Sequence, residues 1–162
     1  MNMPILPNET ARQQALERYS VLDTIAEQAY DDITKLASYI CDTPVALISL
    51  VDNERLWFKS HFGLDVDGIP REDAFCAYAI EHPDEIMLVQ DTTKDKRFMH
   101  SALVVNPPKI RFYAGAPLVT PSGEAIGTVC VIDLTPRVLT VEQFDSLRAL
   151  SRQVMAQLEL RR

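Results

Sequence analysis

The sequence predicts an α+β fold in which an antiparallel sheet carries long terminal helices on one face and a lidded pocket on the other. Apolar residues recur at helical spacing near both ends of the chain, whereas the middle holds short strand-like runs separated by turns. The run 45–51 is apolar apart from one serine, which is typical of a strand covered on both faces. The polar connection 90–110 contains Pro107-Pro108, and irregular segments of this length often cover binding sites.

Three long helices are predicted, each from a capping box in which a threonine and a Gln or Glu three residues later satisfy each other's backbone N–H groups. The first helix extends through Leu22, the second ends near Pro44, and the third carries an apolar stripe as far as Leu158. The boxes are Thr10 with Gln13, Thr24 with Glu27, and Thr140 with Gln143.

The first predicted hairpin joins 45–51 to a strand at 56–62. The turn Asp52-Asn53-Glu54 separates them, and apolar residues alternate with a more mixed set along the second strand. The elements that follow are a loop at 63–72, a short helix at 74–82 that Pro83 stops, a short strand at 86–89, and at most one helical turn, around Arg97 and Phe98.

The second predicted hairpin joins strands at 112–120 and 125–133 through the turn Pro121-Ser122-Gly123-Glu124. The small residues Ala114-Gly115-Ala116 leave space beside the sheet. Either a packed helix or a ligand must fill that space.

Composition and charge indicate one domain, residues 1–162, with a core at about 9–160. The 162 residues carry a net charge of −7, and no Lys/Arg stripe interleaved with aromatic residues is present, which argues against nucleic acid as a partner. No apolar run approaches the length of a membrane span, and the first residues lack the pattern of a secretory signal. We therefore expect a cytoplasmic protein that does not insert into membranes.

The cysteines and histidines support the same reading. Cys41, Cys76 and Cys130 are an odd number without a CxxC pair, so they are expected to be reduced, buried thiols. No pair of histidines or cysteines has the spacing of metal ligands, and no nucleophile elbow or Gly-rich phosphate loop is present. The sequence therefore predicts no metal site and no catalytic residue.

Four aromatic residues are candidates for lining one cavity. They are Trp57, Phe75, Phe98 and Tyr113, and ordinary core packing is the alternative for each. Asp91, Arg97 and Arg111 lie in or beside the irregular connection, where they either pair structurally or clamp a polar ligand. The sequence leaves both alternatives open.

Six blocks in order make nearly the whole chain, from about Glu9 to Leu160, resemble the GAF domains found ahead of bacterial histidine kinases and diguanylate cyclases. The blocks are Ser20–Thr24, Ala46–Asp52, Trp57–Ser60, Pro70-Arg71 with Ala74–Ala77, Arg111–Leu118 and Gly127–Asp133. The resemblance implies an antiparallel sheet with the first, second and last helices on one face and a ligand pocket beneath short helices and loops on the other.

The resemblance also has departures that bear on the ligand. Tyr78 stands where many relatives have histidine, and neither Cys76 nor Cys130 is followed by the histidine of bilin-binding members, which argues against a covalent chromophore. The cofactor is therefore unknown, with haem or a small metabolite left open. The expected ligand-binding set is Trp57, Phe75, Cys76, Tyr78, Asp91, Phe98, Arg111, Tyr113 and Cys130.

The function that the resemblance implies is a non-enzymatic sensor domain in intracellular signal transduction. It would bind a small molecule, pass its state through the terminal helices, form a parallel homodimer, and act on a linked or separate kinase or cyclase. Two alternatives remain. One is a GAF-fold free methionine sulfoxide reductase, in which Cys76 and Cys130 meet across the sheet, and the other is a ligand-free dimerisation module.

Overall fold

The computed structural model describes residues 6–161, which form a six-stranded antiparallel sheet with a layer of helices on one face. The strand order is β3-β2-β1-β6-β5-β4 in the numbering that follows. Along the chain the elements are α1 (Glu9–Glu17), α2 (Gln28–Cys41), β1 (Val45–Val51), β2 (Arg55–Phe62), β3 (Gly68–Pro70), α3 (Cys76–Ala79), β4 (Met87–Val89), α4 (Ala102–Val105), β5 (Phe112–Val119), β6 (Ala125–Asp133) and α5 (Val141–Glu159).

The predicted α+β architecture is confirmed, including the placement of both hairpins and the helical layer. α2 packs on β1 and β2, and α5 packs on β5 and β6. β1 is buried on both faces, as its continuous apolar run predicts: Ile48 and Leu50 face the helices, whereas Leu47 and Val51 face the other side. None of the helices among the described residues is both long and apolar enough to cross a bilayer.

Only one of the three predicted capping boxes is present. Thr140 and Gln143 cap α5 reciprocally. The Thr10 box is wrong because α1 already begins at Glu9, and the Thr24 box is wrong because Glu27 is the N-cap of α2 and makes no side-chain cap. Its carboxylate instead pairs with Lys59 and Arg161.

α1 is shorter than predicted and is anchored by charge. It ends at Glu17 rather than Leu22. Arg12, which is fully buried, donates to the Val51 carbonyl at 2.7 Å and pairs with Glu9 at 2.9 Å. The nearly buried Arg71 pairs with the same Glu9 carboxylate at 2.7 Å. One carboxylate thus holds two buried guanidinium groups at the junction of α1 with the β1–β2 turn.

A β-bulge in β2 changes which side chains face the helices. Ser49 of β1 is opposite Phe58, but Ile48 is opposite Ser60, so Lys59 is the extra residue. The Lys59 ammonium group is buried on the helical side, where it pairs with Glu27 at 2.6 Å and donates to the Thr24 hydroxyl at 2.8 Å.

The C-terminal end of α5 is joined to the segment between α1 and α2. Arg161 pairs with Glu27 at 2.9 Å and donates to the carbonyl of Ser20. Glu159 accepts a hydrogen bond of 2.5 Å from the Tyr19 hydroxyl. The last turn of α5 is therefore fastened to the segment between α1 and α2, and through Glu27 to the bulge of β2.

The small residues of β5 are explained by two different neighbours. Ala114 and Ala116 belong to the core on the helical side, where α5 packs against β5. Gly115 faces the other side, and a Cβ there would lie 2.3 Å from the Tyr113 hydroxyl oxygen. A helix fills the space on one face, and the ring of Tyr113 fills it on the other.

The segments outside the main hairpins differ in detail from the prediction. The predicted helix at 74–82 contains only α3, and the predicted loop at 63–72 contains β3, which pairs with β2. The connection 90–110 holds two short helical pieces, a 3₁₀ turn at Thr92–Lys94 and α4, rather than one turn around Phe98. These pieces and α3 cover the sheet face opposite the long helices.

Candidate functional site

The candidate site is a group of sulfur and hydroxyl side chains between α3 and the centre of the sheet. Ser49 Oγ and Thr128 Oγ1 donate hydrogen bonds to Cys76 Sγ at 3.1 and 3.2 Å. The Tyr113 hydroxyl lies 3.1 Å from the same sulfur. Cys130 lies in the same buried cluster as Cys76, two residues from Thr128 along β6. Each of these residues is at most 3% exposed, so the group is closed to bulk water. We call it the thiol cluster.

The register of three neighbouring strands brings the thiol cluster together. Ser49 of β1 is opposite Thr128 of β6, and their hydroxyl oxygens are 3.0 Å apart. Cys130 follows two residues later on the same face of β6 and is opposite Gly115 of β5. Because Gly115 has no side chain, the Tyr113 ring lies over it and carries its hydroxyl group to Cys76. α3, which packs on this face of the sheet, contributes Cys76.

The electrostatics of the thiol cluster distinguish its two sulfur atoms. Burial raises the pKa of Cys76, but hydrogen bonds from Cys130, Ser49 and Thr128 outweigh burial, so the Cys76 pKa is lowered. The pKa of Cys130 is raised, because its side chain is hydrogen-bonded to Cys76 and buried. Burial and the neighbouring thiols raise the pKa of Tyr113. Cys76 is thus the thiol that loses its proton first.

The third cysteine provides a contrast. Cys41 is buried at the end of α2 in the helical-side core, away from the thiol cluster. Burial raises the Cys41 pKa to about 11, since no comparable set of donors offsets the loss of water. Its surroundings are those of a structural thiol.

An aromatic layer lies next to the thiol cluster. The Phe75 and Phe98 rings meet edge to face with centroids 4.5 Å apart, and Tyr78 and Phe98 do the same at 5.0 Å. The Phe75 and Tyr113 rings are 5.4 Å apart. Phe75, Phe98 and Tyr113 are buried, so side chains fill the region in which a lidded pocket is predicted. Their role in ligand binding stays a prediction.

Trp57 does not join these residues, so the four candidate aromatic residues do not line one common cavity. Trp57 faces the helical-side core, as does Leu50 opposite it on β1, whereas Tyr113 faces α3. The two side chains are on opposite faces of the sheet. Trp57 instead lines a cleft of about 410 Å³ beside the segment that precedes α2, together with Lys59 and Asp31.

The three charged candidates have separate structural partners. Asp91 caps the 3₁₀ turn by accepting hydrogen bonds from Thr93, which lower its pKa. Arg97 pairs with Asp95 at 2.9 Å and lies over the Phe98 ring. Arg111 donates to the Val104 carbonyl at 2.9 Å, at the end of α4. Within residues 6–161 no ion pair joins Asp91, Arg97 and Arg111 to one another.

Sequence reasoning missed Ser49 and Thr128, although a signal for them exists. Each is a hydroxyl residue inside an otherwise apolar strand, and Thr128 has the same parity as Cys130, so two-residue alternation places both on one face. A buried hydroxyl in a strand needs a partner. No group of three or more His, Cys, Asp or Glu side chains in the described part of the chain is arranged to hold a metal ion.

A comparison with protein families and curated sequences gives two matches. A family model described as GAF domain matches residues 26–158. A cyclic di-GMP phosphodiesterase of Pseudomonas aeruginosa is 42% identical over 134 residues, which are 83% of this chain. The chain spans 23% of the length of that protein.

Solved structures with a similar fold have much lower sequence identity. The GAF domain of an Acinetobacter phosphoenolpyruvate-protein phosphotransferase aligns with a TM-score of 0.64 at 15% identity, over 96% of this chain and 95% of that one. A type II free methionine-R-sulfoxide reductase from Thermoplasma acidophilum aligns with a TM-score of 0.60 at 16% identity, over 80% and 91%. At such identities the likeness concerns the fold.

Proposed function

Since this chain belongs to the GAF domain family, we propose that it is a regulatory sensor domain of intracellular signal transduction without catalytic activity of its own. Its input is a small molecule that acts at the face covered by α3 and α4. Its output passes through the terminal helices. Three reduced thiols among the described residues are consistent with the cytoplasm as its location.

The observation that carries this proposal is that a single sheet separates the candidate site from the helices. In β5, Tyr113 contacts Cys76 on one side, while its neighbours Phe112 and Ala114 belong to the core on the helical side. α5 packs on the same strand. A ligand that displaces Tyr113 therefore shifts the strand against which α5 is packed, which is the kind of two-state coupling that a sensor requires.

The effector is proposed from the relatives. The matched protein is named as a cyclic di-GMP phosphodiesterase, and this chain spans 23% of it. We infer that a sequence of this kind supplies regulation to a linked or separate signalling enzyme, a histidine kinase or an enzyme of cyclic dinucleotide turnover.

Native mass spectrometry of the chain purified from its own host tests the ligand. We expect a complex whose mass exceeds that of the chain by one small molecule, and the excess should disappear on denaturation because no covalent bond is proposed. The matched sample is the same chain unfolded and refolded in ligand-free buffer. Protein that carries no small molecule from any growth condition would contradict ligand sensing.

We further propose a homodimer through the helical layer. An apolar end patch of five residues, each between 38% and 72% exposed, lies where α2 ends and α5 begins. The two helix ends are joined by a 3.1 Å hydrogen bond that the Gln143 side chain donates to the Ile40 carbonyl. Exposed apolar residues grouped in this way favour an interface. The patch consists of Leu36, Tyr39, Ile40, Val138 and Val141.

Light scattering at tens of micromolar tests the dimer. The chain is expected to be dimeric, and Leu36→Glu should weaken the dimer at least about tenfold, since it buries a charge in an apolar contact. Val66→Glu is the matched control, because Val66 is similarly exposed but lies in the β2–β3 loop. A monomeric chain, or equal weakening by both variants, would overturn the proposed interface.

A ligand-free dimerisation module is the second candidate. It is favoured by the packing of Phe75, Phe98 and Tyr113, which leaves the predicted pocket filled with side chains. The two candidates differ in the native mass spectrum and agree in the light-scattering experiment. A sulfoxide reductase is favoured by the placement of Cys76 and Cys130 in one buried cluster, and the thiol experiment below distinguishes it.

A further inference from the structure

The thiol cluster is more elaborate than packing requires. An apolar core needs no hydrogen-bond donors, yet hydroxyl groups from three different strands converge on one sulfur atom within 3.1–3.2 Å. Donors arranged in this way favour an anion at the position they surround. The second thiol, Cys130, belongs to the same buried cluster and lies on the same face of β6 as Thr128, two residues along from this donor to Cys76. A stabilised thiolate beside a second thiol is the arrangement of a reactive dithiol pair.

We propose that Cys76 and Cys130 form a peroxide-responsive dithiol switch. The proposal rests on the sensor function and extends it, because it adds a hydroperoxide as a second input at the same face of the sheet. The chemistry itself depends only on the two thiols and the oxidant. The disulfide would therefore form even if no effector responds to it.

The reaction with hydrogen peroxide proceeds in two balanced steps. The Cys76 thiolate attacks one peroxide oxygen, the O–O bond breaks, and Cys76 sulfenic acid forms while the departing hydroxide takes up a proton to become water. Cys130 sulfur then attacks the sulfenic sulfur, the S–S bond forms, the S–O bond breaks, and the hydroxide leaves as water with the proton of Cys130. Two thiols are oxidised and one peroxide is reduced to two waters.

Access to Cys76 depends on α3, which covers it. α3 is a single turn of four residues that begins at Cys76 itself. Short elements of this kind open locally at a much lower cost than the core strands. Hydrogen peroxide has two heavy atoms, so a local opening of α3 admits it.

The disulfide would remove the acceptor that holds Tyr113. Once Cys76 sulfur is bonded to Cys130, it is a poor acceptor for the Tyr113 hydroxyl, which lies 3.1 Å away in the reduced protein. Tyr113 stands on β5, whose other face contacts α5. Oxidation therefore acts on the strand that the proposed function uses for output.

Intact mass after peroxide treatment tests the switch in the full chain. The reduced chain, exposed to hydrogen peroxide, is expected to lose two hydrogen atoms, with peptide mapping that assigns the bond to Cys76 and Cys130. Cys41→Ser is the matched control and should leave the rate unchanged, since Cys41 lies in the other core. A chain that keeps all its thiols, or forms bonds only between molecules, would overturn the proposal.

Two variants separate the roles of the sulfur atoms. Cys130→Ser should stop at a sulfenic acid on Cys76 that dimedone traps, whereas Cys76→Ser should leave Cys130 reduced. Tyr113→Phe removes one hydrogen bond to the thiolate and should slow the first step about tenfold. If circular dichroism shows that a variant is unfolded, the intact mass of the peroxide-treated parent chain still tests whether the disulfide forms. Trapping on Cys130 in preference to Cys76 would contradict the assignment.

The oxidant and the output are tested separately. Free methionine sulfoxide should not oxidise the pair, and its reduction to methionine with thioredoxin would establish the reductase in place of the switch. Hydrogen exchange in α5 should differ between the reduced and the disulfide forms. If the disulfide forms and α5 exchange is unchanged, the thiol chemistry stands and its transmission through α5 fails, while the native mass spectrum tests the sensor function separately.

Discussion

Replacing Phe98 with alanine is expected to lower the free energy of unfolding by about 3–5 kcal/mol. Phe98 is fully buried, and its ring meets Phe75 and Tyr78 edge to face at 4.5 and 5.0 Å. Removing it leaves a cavity that the sheet cannot collapse to fill, because the neighbouring rings are held by other contacts. Urea unfolding followed by circular dichroism measures the loss.

Phe62→Ala is the matched control for this substitution. Phe62 is 36% exposed at the end of β2, so its truncation removes the same atoms with much less loss of burial. Phe98→Ala should also speed the reaction of Cys76 with a thiol reagent, since Phe98 packs on Phe75 next to α3. Equal destabilisation by the two variants would show that the aromatic layer is not a fixed part of the core.

Replacing Glu9 with glutamine is expected to destabilise the chain by about 3 kcal/mol at neutral pH, because it leaves Arg12 and Arg71 buried without a counter-charge. Arg12 is fully buried and Arg71 is 3% exposed, whereas the carboxylate of Glu9 keeps some contact with water. Glu17→Gln is the control: it removes one charge from the exposed end of α1. Denaturant unfolding of both variants at pH 7 gives the comparison.

The ion pairs of Glu9 also predict that the stability of the chain depends on pH. Partial burial raises the pKa of Glu9, but hydrogen bonds from Arg12, Arg71 and Gln13 outweigh it and hold the pKa well below the ordinary value of 4.5. The stabilisation is therefore complete above about pH 4.5 and is lost as the pH falls below that value. The difference between the parent chain and Glu9→Gln should shrink on acidification. A difference that stays constant from pH 7 to pH 3 would contradict the assignment.

The sequence predicts the main strands and helices because their signals are local. The continuous apolar run of β1 and the turn between β5 and β6 depend on neighbouring residues alone. β3 is missed because it has a single large apolar side chain, Ile69, between a glycine and a proline, whereas the equally short β4 is a run of three apolar residues. The position of Trp57 is missed for a different reason: two-residue alternation separates Trp57 from Leu56 and Phe58, but it does not tell which of the two faces the long helices cover.

The candidate site is predicted in part for a related reason. Cys76, Cys130 and Tyr113 are identified one by one as residues of chemical interest, but their convergence depends on strand register and on the missing side chain at Gly115. Register is a property of the assembled sheet. Asp91, Arg97 and Arg111 lie in or beside an irregular connection, and their partners, which are Thr93, Asp95 and the Val104 carbonyl, depend on the short helical pieces that form there.

The fastening of the last turn of α5 bears on how chimaeric sensors should be built from this domain. Arg161 reaches Glu27 and the Ser20 carbonyl, and Glu159 holds Tyr19, so these two side chains set the direction in which a following polypeptide leaves. A fusion joined after Arg161 keeps that exit direction. A fusion joined at Leu158 lacks both Glu159 and Arg161, and the attached domain would then rotate freely relative to this one.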